Sequence, residues 1–213
     1  MEAVRPYRFT VEEYERLGEA GIIGEDERVE LIDGQVVQMT PIGLPHTGTV
    51  KALINTFSSR LADRVVLSVQ DPVVLDDYTE PQPDVVLLAP PLETYRKRQP
   101  RADDVLLLVE VADSSGIYDR GVKVPLYASA GIPEYWIVDV KAGVIEVHRS
   151  PQGDQYSSVE VVRPGGHVSP EAFPDIQLDV SAILGTSMKG LLKGSGSVAE
   201  LEAEHRREIE RGK

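Results

Sequence analysis

The sequence predicts a mixed α/β (α+β) fold in which a sheet is flanked by helices. Three observations carry that expectation. Apolar, β-favouring runs occupy residues 84–88, 105–111 and 134–140. Residues 10–17, 46–61 and 118–130 read as helices, with the clearest apolar spacing in 46–61. Asp33-Gly34, the strongest short hairpin signal, divides two β-rich runs within residues 29–40. Helix, hairpin, helix, strands, helix, strands is the order of a mixed sheet with helical layers.

The elements follow in chain order. Thr10 is the expected N-cap of the first helix, Glu13 holds the capping-box position, and Gly18 is the expected stop. Glu30 opens the hairpin, and residues 41–45 form a proline-bounded turn. From His46 to Leu61, the side chains of Val50, Leu53, Ile54, Phe57 and Leu61 fall on one helical side. Residues 64–69 and 72–75 read as short strands, and 79–83 as a turn. Asp84 begins an apolar strand directly after Pro83. Residues 90–103 are a polar loop carrying Arg96, Lys97, Arg98 and Arg101. In the strand that follows, Val105, Leu107, Val109 and Val111 share one face, and Leu106, Leu108 and Glu110 the other. Both faces are otherwise apolar, so this strand is expected in the sheet centre, covered on both sides. Pro125 interrupts the helix over 118–130 and crowds the Gly121 carbonyl, so a kink or late start is expected, and Gly131 ends it. Residues 134–140 and 144–148 pair across a turn at 141–143. Residues 156–162 and 173–178 continue as β or loop structure, and 181–184 as a short helix. The stretch 193–197, KGSGS, reads as a linker. Residues 198–211 read as a charged tail helix whose apolar stripe is too thin for a coiled coil. Residues 1–192 therefore form the expected domain, and 193–213 an appendage.

Composition narrows the function classes. A chain of 213 residues with 41% hydrophobic content fills one core. Without cysteine there is no disulfide framework, thiolate zinc site or cysteine nucleophile, which agrees with a cytoplasmic setting. The N-terminus lacks the apolar core of a signal peptide, and no apolar run is long enough to span a membrane. A net charge of −13 opposes non-specific nucleic-acid binding, which leans on Lys and Arg to neutralise phosphates. A local cation-bearing cleft or a bound metal would offset that.

One polar residue stands out in the central strand. A carboxylate at Glu110 must be paired, metal-bound or at the strand's open end, because a bare buried charge is very costly. Asp84 begins another apolar strand; if the two strands are neighbours, their carboxylates share a site. Two close carboxylates raise one pKa unless a cation intervenes. Hard oxygen ligands suit Mg²⁺ or Mn²⁺, which activates water and neutralises charge on a transferring phosphoryl group. Asp119, Lys123 and Tyr127 recur every four positions, as on one face of the next helix, and an acid at a strand's end with a lysine on that helix can form a site, although Gly121 and Pro125 leave the lysine's direction open.

The ordered set ERVELIDGQVV, QPDVVLL, LLLVEVADSS and YDRGVKVPLYASAGIPEYWIVD resembles the bacterial Uma-two family of putative restriction endonucleases, within the PD-(D/E)XK nuclease-like superfamily. The resemblance covers residues 10–184. It implies a restriction-endonuclease-like fold and a metal-dependent phosphodiesterase site. Asp84 and Glu110 would bind Mg²⁺ or Mn²⁺ with the Val111 carbonyl as third ligand, and Glu30 would match an early acid contacting the metal or its water. The lysine expected two residues after the acid is Ala112 here, and Lys123 is its substitute. His46, Asp119 and Tyr127 are further members of the site or its surroundings. Folds of this kind often dimerise, so a homodimer is implied.

Plainer readings stand beside these. Asp84 can be a strand-entry residue, Glu110 a structural ion-pair partner, Lys123 a solvated partner of Asp119, Glu30 a hairpin neighbour, and His46 an ordinary helix-start residue. Tyr127 and Trp136 read first as core aromatics. The expected function is a Mg²⁺- or Mn²⁺-dependent nuclease. The alternatives are a catalytically silent nuclease-fold binding or assembly module, and a hydrolase of smaller phosphorylated ligands.

Overall fold

The computed structural model describes residues 6–24, 26–113 and 115–185. The linker at 193–197 and the helix expected over 198–211 lie outside the described residues. Helix α1 (Val11–Glu19) starts as its capping box dictates: Thr10 Oγ1 accepts the Glu13 N–H at 3.2 Å, and Glu13 Oε2 accepts the Thr10 N–H at 3.0 Å. It runs through Gly18, the expected stop, because one glycine inside a helix costs only about 1 kcal/mol. Strands β1 (Val29–Ile32) and β2 (Gln35–Gln38) turn at Asp33 and Gly34, whose φ angles of 51° and 74° match the positive-φ pair of a two-residue hairpin. Helix α2 (Leu44–Leu61) begins earlier than its apolar spacing suggests, with Pro45 in the first turn, where no N–H is needed.

Strands β3 (Val66–Ser68), β4 (Val85–Leu88), β5 (Val105–Ala112), β6 (Glu134–Asp139), β7 (Val144–Gln152) and β8 (Gln155–Val162) form one six-stranded sheet in that order. Neighbours are antiparallel except the parallel pair β5–β6, whose crossover is helical. Residues 72–75, expected as a strand, contribute only one isolated bridge, Val74 with Arg101: Gln70 at φ 54° and Pro72, which has no N–H, turn the chain off the sheet edge.

The segment after β5 departs from expectation in a way that matters for the site. It does not start late. It starts at α3 (Gly116–Tyr118), widens into a π-helical turn at Asp119–Lys123, and continues as α4 (Val124–Ser129). The Val124 N–H donates to the Asp119 carbonyl, five residues back. Inserting this turn ahead of Pro125 accommodates the missing proline donor. Arg120, on this turn, donates to the Gly116 carbonyl at 3.0 Å and to Asp139 and Glu146 on the sheet at 2.7 Å and 2.5 Å. Small strands β9 (His167–Val168) and β10 (Leu178–Asp179) and helix α5 (Val180–Ile183) end the described chain; residues 173–177 are turns rather than strand.

Both faces of the sheet are covered. Val50, Leu53, Phe57 and Leu61 of α2 pack with Val85, Leu87, Leu107, Val109, Val111 and Trp136. Tyr127 and Ala128 of α4 pack with Val86, Leu88, Leu108, Tyr135 and Ile137. Alternation holds along β5 from Leu107 onward. Before it, the β4–β5 register shifts between Leu87 and Leu88, so Val105 joins the α4 side and Leu106 the α2 side, the reverse of simple alternation. Among the described residues no helix is long and apolar enough to cross a membrane.

Candidate active site

The β4–β5 register sets the acids. Val85 pairs with Val109, so one step further Asp84 lies opposite Glu110, and both fall on the α4 face. The Asp84 N–H donates to Glu110 Oε2 at 3.3 Å. The Val111 N–H donates to Asp84 Oδ2 at 2.9 Å. His46, near the start of α2, meets the same oxygen through Nε2 at 2.9 Å, and Gln70 Nε2 donates to Asp84 Oδ1 at 3.1 Å. Across the cleft the π-turn carries Lys123 inward. Its Nζ lies 2.5 Å from Glu30 Oε2 and 3.5 Å from Glu110 Oε1. Tyr127, one turn on, donates to Glu110 Oε1 at 2.9 Å. Asp119 accepts from Ser115 Oγ at 2.6 Å and makes no contact with Lys123 close enough for an ion pair, so the solvated Asp119–Lys123 pair does not form.

Glu30, His46, Asp84, Glu110, Asp119, Lys123 and Tyr127 are therefore neighbours, and all are buried. Val111 supplies backbone to the same place. The first six side chains and Val111 line a cavity of about 270 Å³ together with Arg28, Val37, Met39, Ile42 and Tyr118. Tyr127 lies behind this wall. Gln70 is a site neighbour that sequence reasoning missed. Nothing in SVQDP marks it; its role comes from a positive-φ backbone that turns its amide toward Asp84. The basic loop lies elsewhere. It joins the far ends of β4 and β5, and Arg98 there pairs with Asp104 at 2.6 Å. Trp136 is a core residue that donates to Glu134.

Charge is unbalanced in this pocket. Four buried carboxylates surround one ammonium. Burial pushes the Glu110 carboxyl up to about 8; Lys123 opposes that shift, and Asp84, Asp119 and Glu30 add to it. Burial likewise raises Asp119, against the pull of Ser115 and Lys123. Burial works to lower Lys123, but Glu110 and Glu30 together outweigh it and the net shift is upward, so the ammonium is retained.

The donor set fits a hard divalent cation. Among the described residues no three acidic or histidine side chains converge as a metal cage. A site here would instead draw on two carboxylates and a backbone carbonyl. Extending the register once more sets Pro83 opposite Val111. Proline has no N–H, so that strand offers the Val111 carbonyl no ladder donor. The surplus of carboxylates over cations is the electrostatic deficit that a divalent ion offsets.

Comparison with known proteins follows the same lines. A solved structure from Anabaena variabilis ATCC 29413, described as a putative nuclease belonging to DUF820, superposes with a TM-score of 0.63 at 15% identity, covering 84% of this chain and 98% of that one. At that identity the likeness is one of fold. No curated protein matches the chain. The family model described as "Putative restriction endonuclease", Uma2, matches residues 11–181, which hold the hairpin, both acid-bearing strands and the π-turn, and the chain therefore belongs to the Uma2 family.

Proposed function

We propose that the chain is a divalent-metal-dependent phosphodiesterase of the nuclease type, with Asp84, Glu110 and the Val111 carbonyl as the cation's ligands. The observation that carries this reading is the facing pair Asp84–Glu110 at the mouth of two buried strands, with Lys123 3.5 Å from Glu110 inside an open cleft. Membership of a family described as "Putative restriction endonuclease" supports the same class of reaction.

When bound, Mg²⁺ or Mn²⁺ supplies Lewis-acid activation of water and neutralises charge on the phosphoryl group. The chain's own residues do the rest. Glu30 fixes the Lys123 ammonium, which orients the attacking water and stabilises negative charge developing on phosphate. Tyr127 holds Glu110 from behind. Gln70 and His46 hold the Asp84 carboxylate in register with Glu110.

A second reading rests on one feature. Both oxygens of Asp84 are already satisfied by protein donors, Val111 N–H and His46 on one and Gln70 on the other. A silent binding or assembly module would keep such a closed network. Cleavage of single- and double-stranded DNA and RNA in Mg²⁺ or Mn²⁺, beside Lys123→Ala and Asp84→Asn proteins, separates the two. The phosphodiesterase reading expects cation-dependent cleavage lost in both variants. Calorimetric absence of Mn²⁺ binding in the unmodified protein favours the silent module.

A further inference from the structure

The wall of the cleft opposite the acids is one face of the hairpin. Glu30 pairs with Val37 across β1–β2, and the Met39 N–H donates to the Arg28 carbonyl at 2.9 Å. By strand alternation Arg28, Glu30, Val37 and Met39 share that face, and all four line the cavity. Ile42 continues the wall from the loop before α2. This face contains one carboxylate engaged by Lys123, an apolar strip of three side chains, and one half-buried arginine.

Arg28 is the only lining cation besides Lys123. Its guanidinium touches the Thr40 carbonyl at 3.3 Å and makes no ion pair among the described residues. The rest of the lining is acidic, neutral polar or apolar. Just outside it, Leu44 and Ile117 are 89% and 91% exposed. A duplex-binding surface needs a row of Lys and Arg along two phosphate backbones, and the basic loop that could supply one sits at the other end of β4 and β5. A cavity of about 270 Å³ has the size of one nucleotide unit.

We propose that the hairpin wall receives one nucleotide of an unpaired nucleic-acid strand, Arg28 taking a phosphate and Val37, Met39 and Ile42 packing against its base or sugar. This rests on the phosphodiesterase reading and narrows it to single strands, flaps or frayed ends. Apolar contact to a base face is tolerant of sequence, and a single arginine makes the binding only weakly salt-dependent.

The test is fluorescence anisotropy of the full chain with short labelled DNA and RNA single strands and the matching duplexes, in Ca²⁺, while cleavage is read separately in Mn²⁺. Single strands are expected to bind at least ~10-fold more tightly than duplex, with a log–log salt slope of about −0.7 for one phosphate contact. Arg28→Ala is expected to flatten that slope to near zero, while Arg28→Lys retains it. Met39→Ala is expected to weaken binding by about tenfold without changing the slope, because it removes packing and no charge. Tighter duplex binding, a slope of several units, no binding of either form, or full affinity in Arg28→Ala overturns the inference. A chain that binds single strands in this way but cuts nothing keeps the inference and removes the hydrolase reading. A chain that cuts duplex with Arg28→Ala unaffected does the reverse.

Discussion

Glu110→Gln is expected to make the protein more stable at neutral pH. Glu110 sits buried among Asp84, Asp119 and Glu30, and its carboxyl is held up at about 8 from an ordinary 4.5. In the unfolded chain the proton leaves first, so stability is fully present below pH 4.5 and is lost as pH rises toward 8. Integrating that difference gives a penalty of about 3 kcal/mol at pH 7 and about 1 kcal/mol at pH 5. Glutamine has the shape of the neutral acid and cannot ionise. Its amide faces Lys123 less well than a carboxyl oxygen, which removes about 1 kcal/mol. The net gain at pH 7 is then about 2 kcal/mol, or a rise in Tm of about 4–8 °C for a domain of this size. Differential scanning calorimetry of both proteins from pH 5 to pH 8 without divalent ions reads it directly. The gain should shrink toward pH 5. A Tm difference that does not change with pH, or a less stable variant at pH 7, would refute the electrostatic account of the pocket.

The other expectations follow from the same contacts. Mn²⁺ binding at pH 7 should release most of one proton, because a carboxyl with a pKa of about 8 is mostly protonated there; calorimetry in buffers of different ionisation enthalpy counts it. Lys123→Met leaves Glu30 without its buried cation and should cost about 3–5 kcal/mol in urea unfolding at neutral pH; Lys123→Arg should recover part of it. Arg120→Ala removes the half-exposed link from the π-turn to Asp139 and Glu146, with an expected loss of about 1 kcal/mol and faster amide exchange confined to residues 116–124. Leu53→Ala, beneath the sheet and away from the cleft, should cost about 2–5 kcal/mol by denaturant while leaving Mn²⁺ affinity unchanged.

Much of the scaffold was legible because it depends on local chemistry. The capping box at Thr10 and Glu13 and the turn at Asp33-Gly34 need only neighbours in sequence, and both formed as read. The two-sided burial of β5 followed from its run of apolar residues on both faces. Expectations failed where distant strands set the outcome. The β4–β5 bulge exchanged the faces of Val105 and Leu106, and residues 72–75 lost strand pairing because the chain turns away at Gln70 and Pro72. The direction of Lys123 could not be read from spacing, since Gly121 and Pro125 permit several backbone paths. The π-turn, secured by Arg120 against the sheet, is what brings that ammonium between Glu30 and Glu110.

The sequence by itself determined which residue types were available: two acids at the ends of apolar strands, a lysine on the next helix and an early acid on a hairpin. A buried charge must find a partner, so their presence in such surroundings already required a shared environment. Only the tertiary structure decided which partners they took. The antiparallel register set Asp84 opposite Glu110, the hairpin brought Glu30 to Lys123, and the turn at Gln70 put its amide on Asp84. These contacts join residues 14 to 93 positions apart, and their geometry is fixed by strand pairing and helix packing rather than by the short-range preferences a sequence displays.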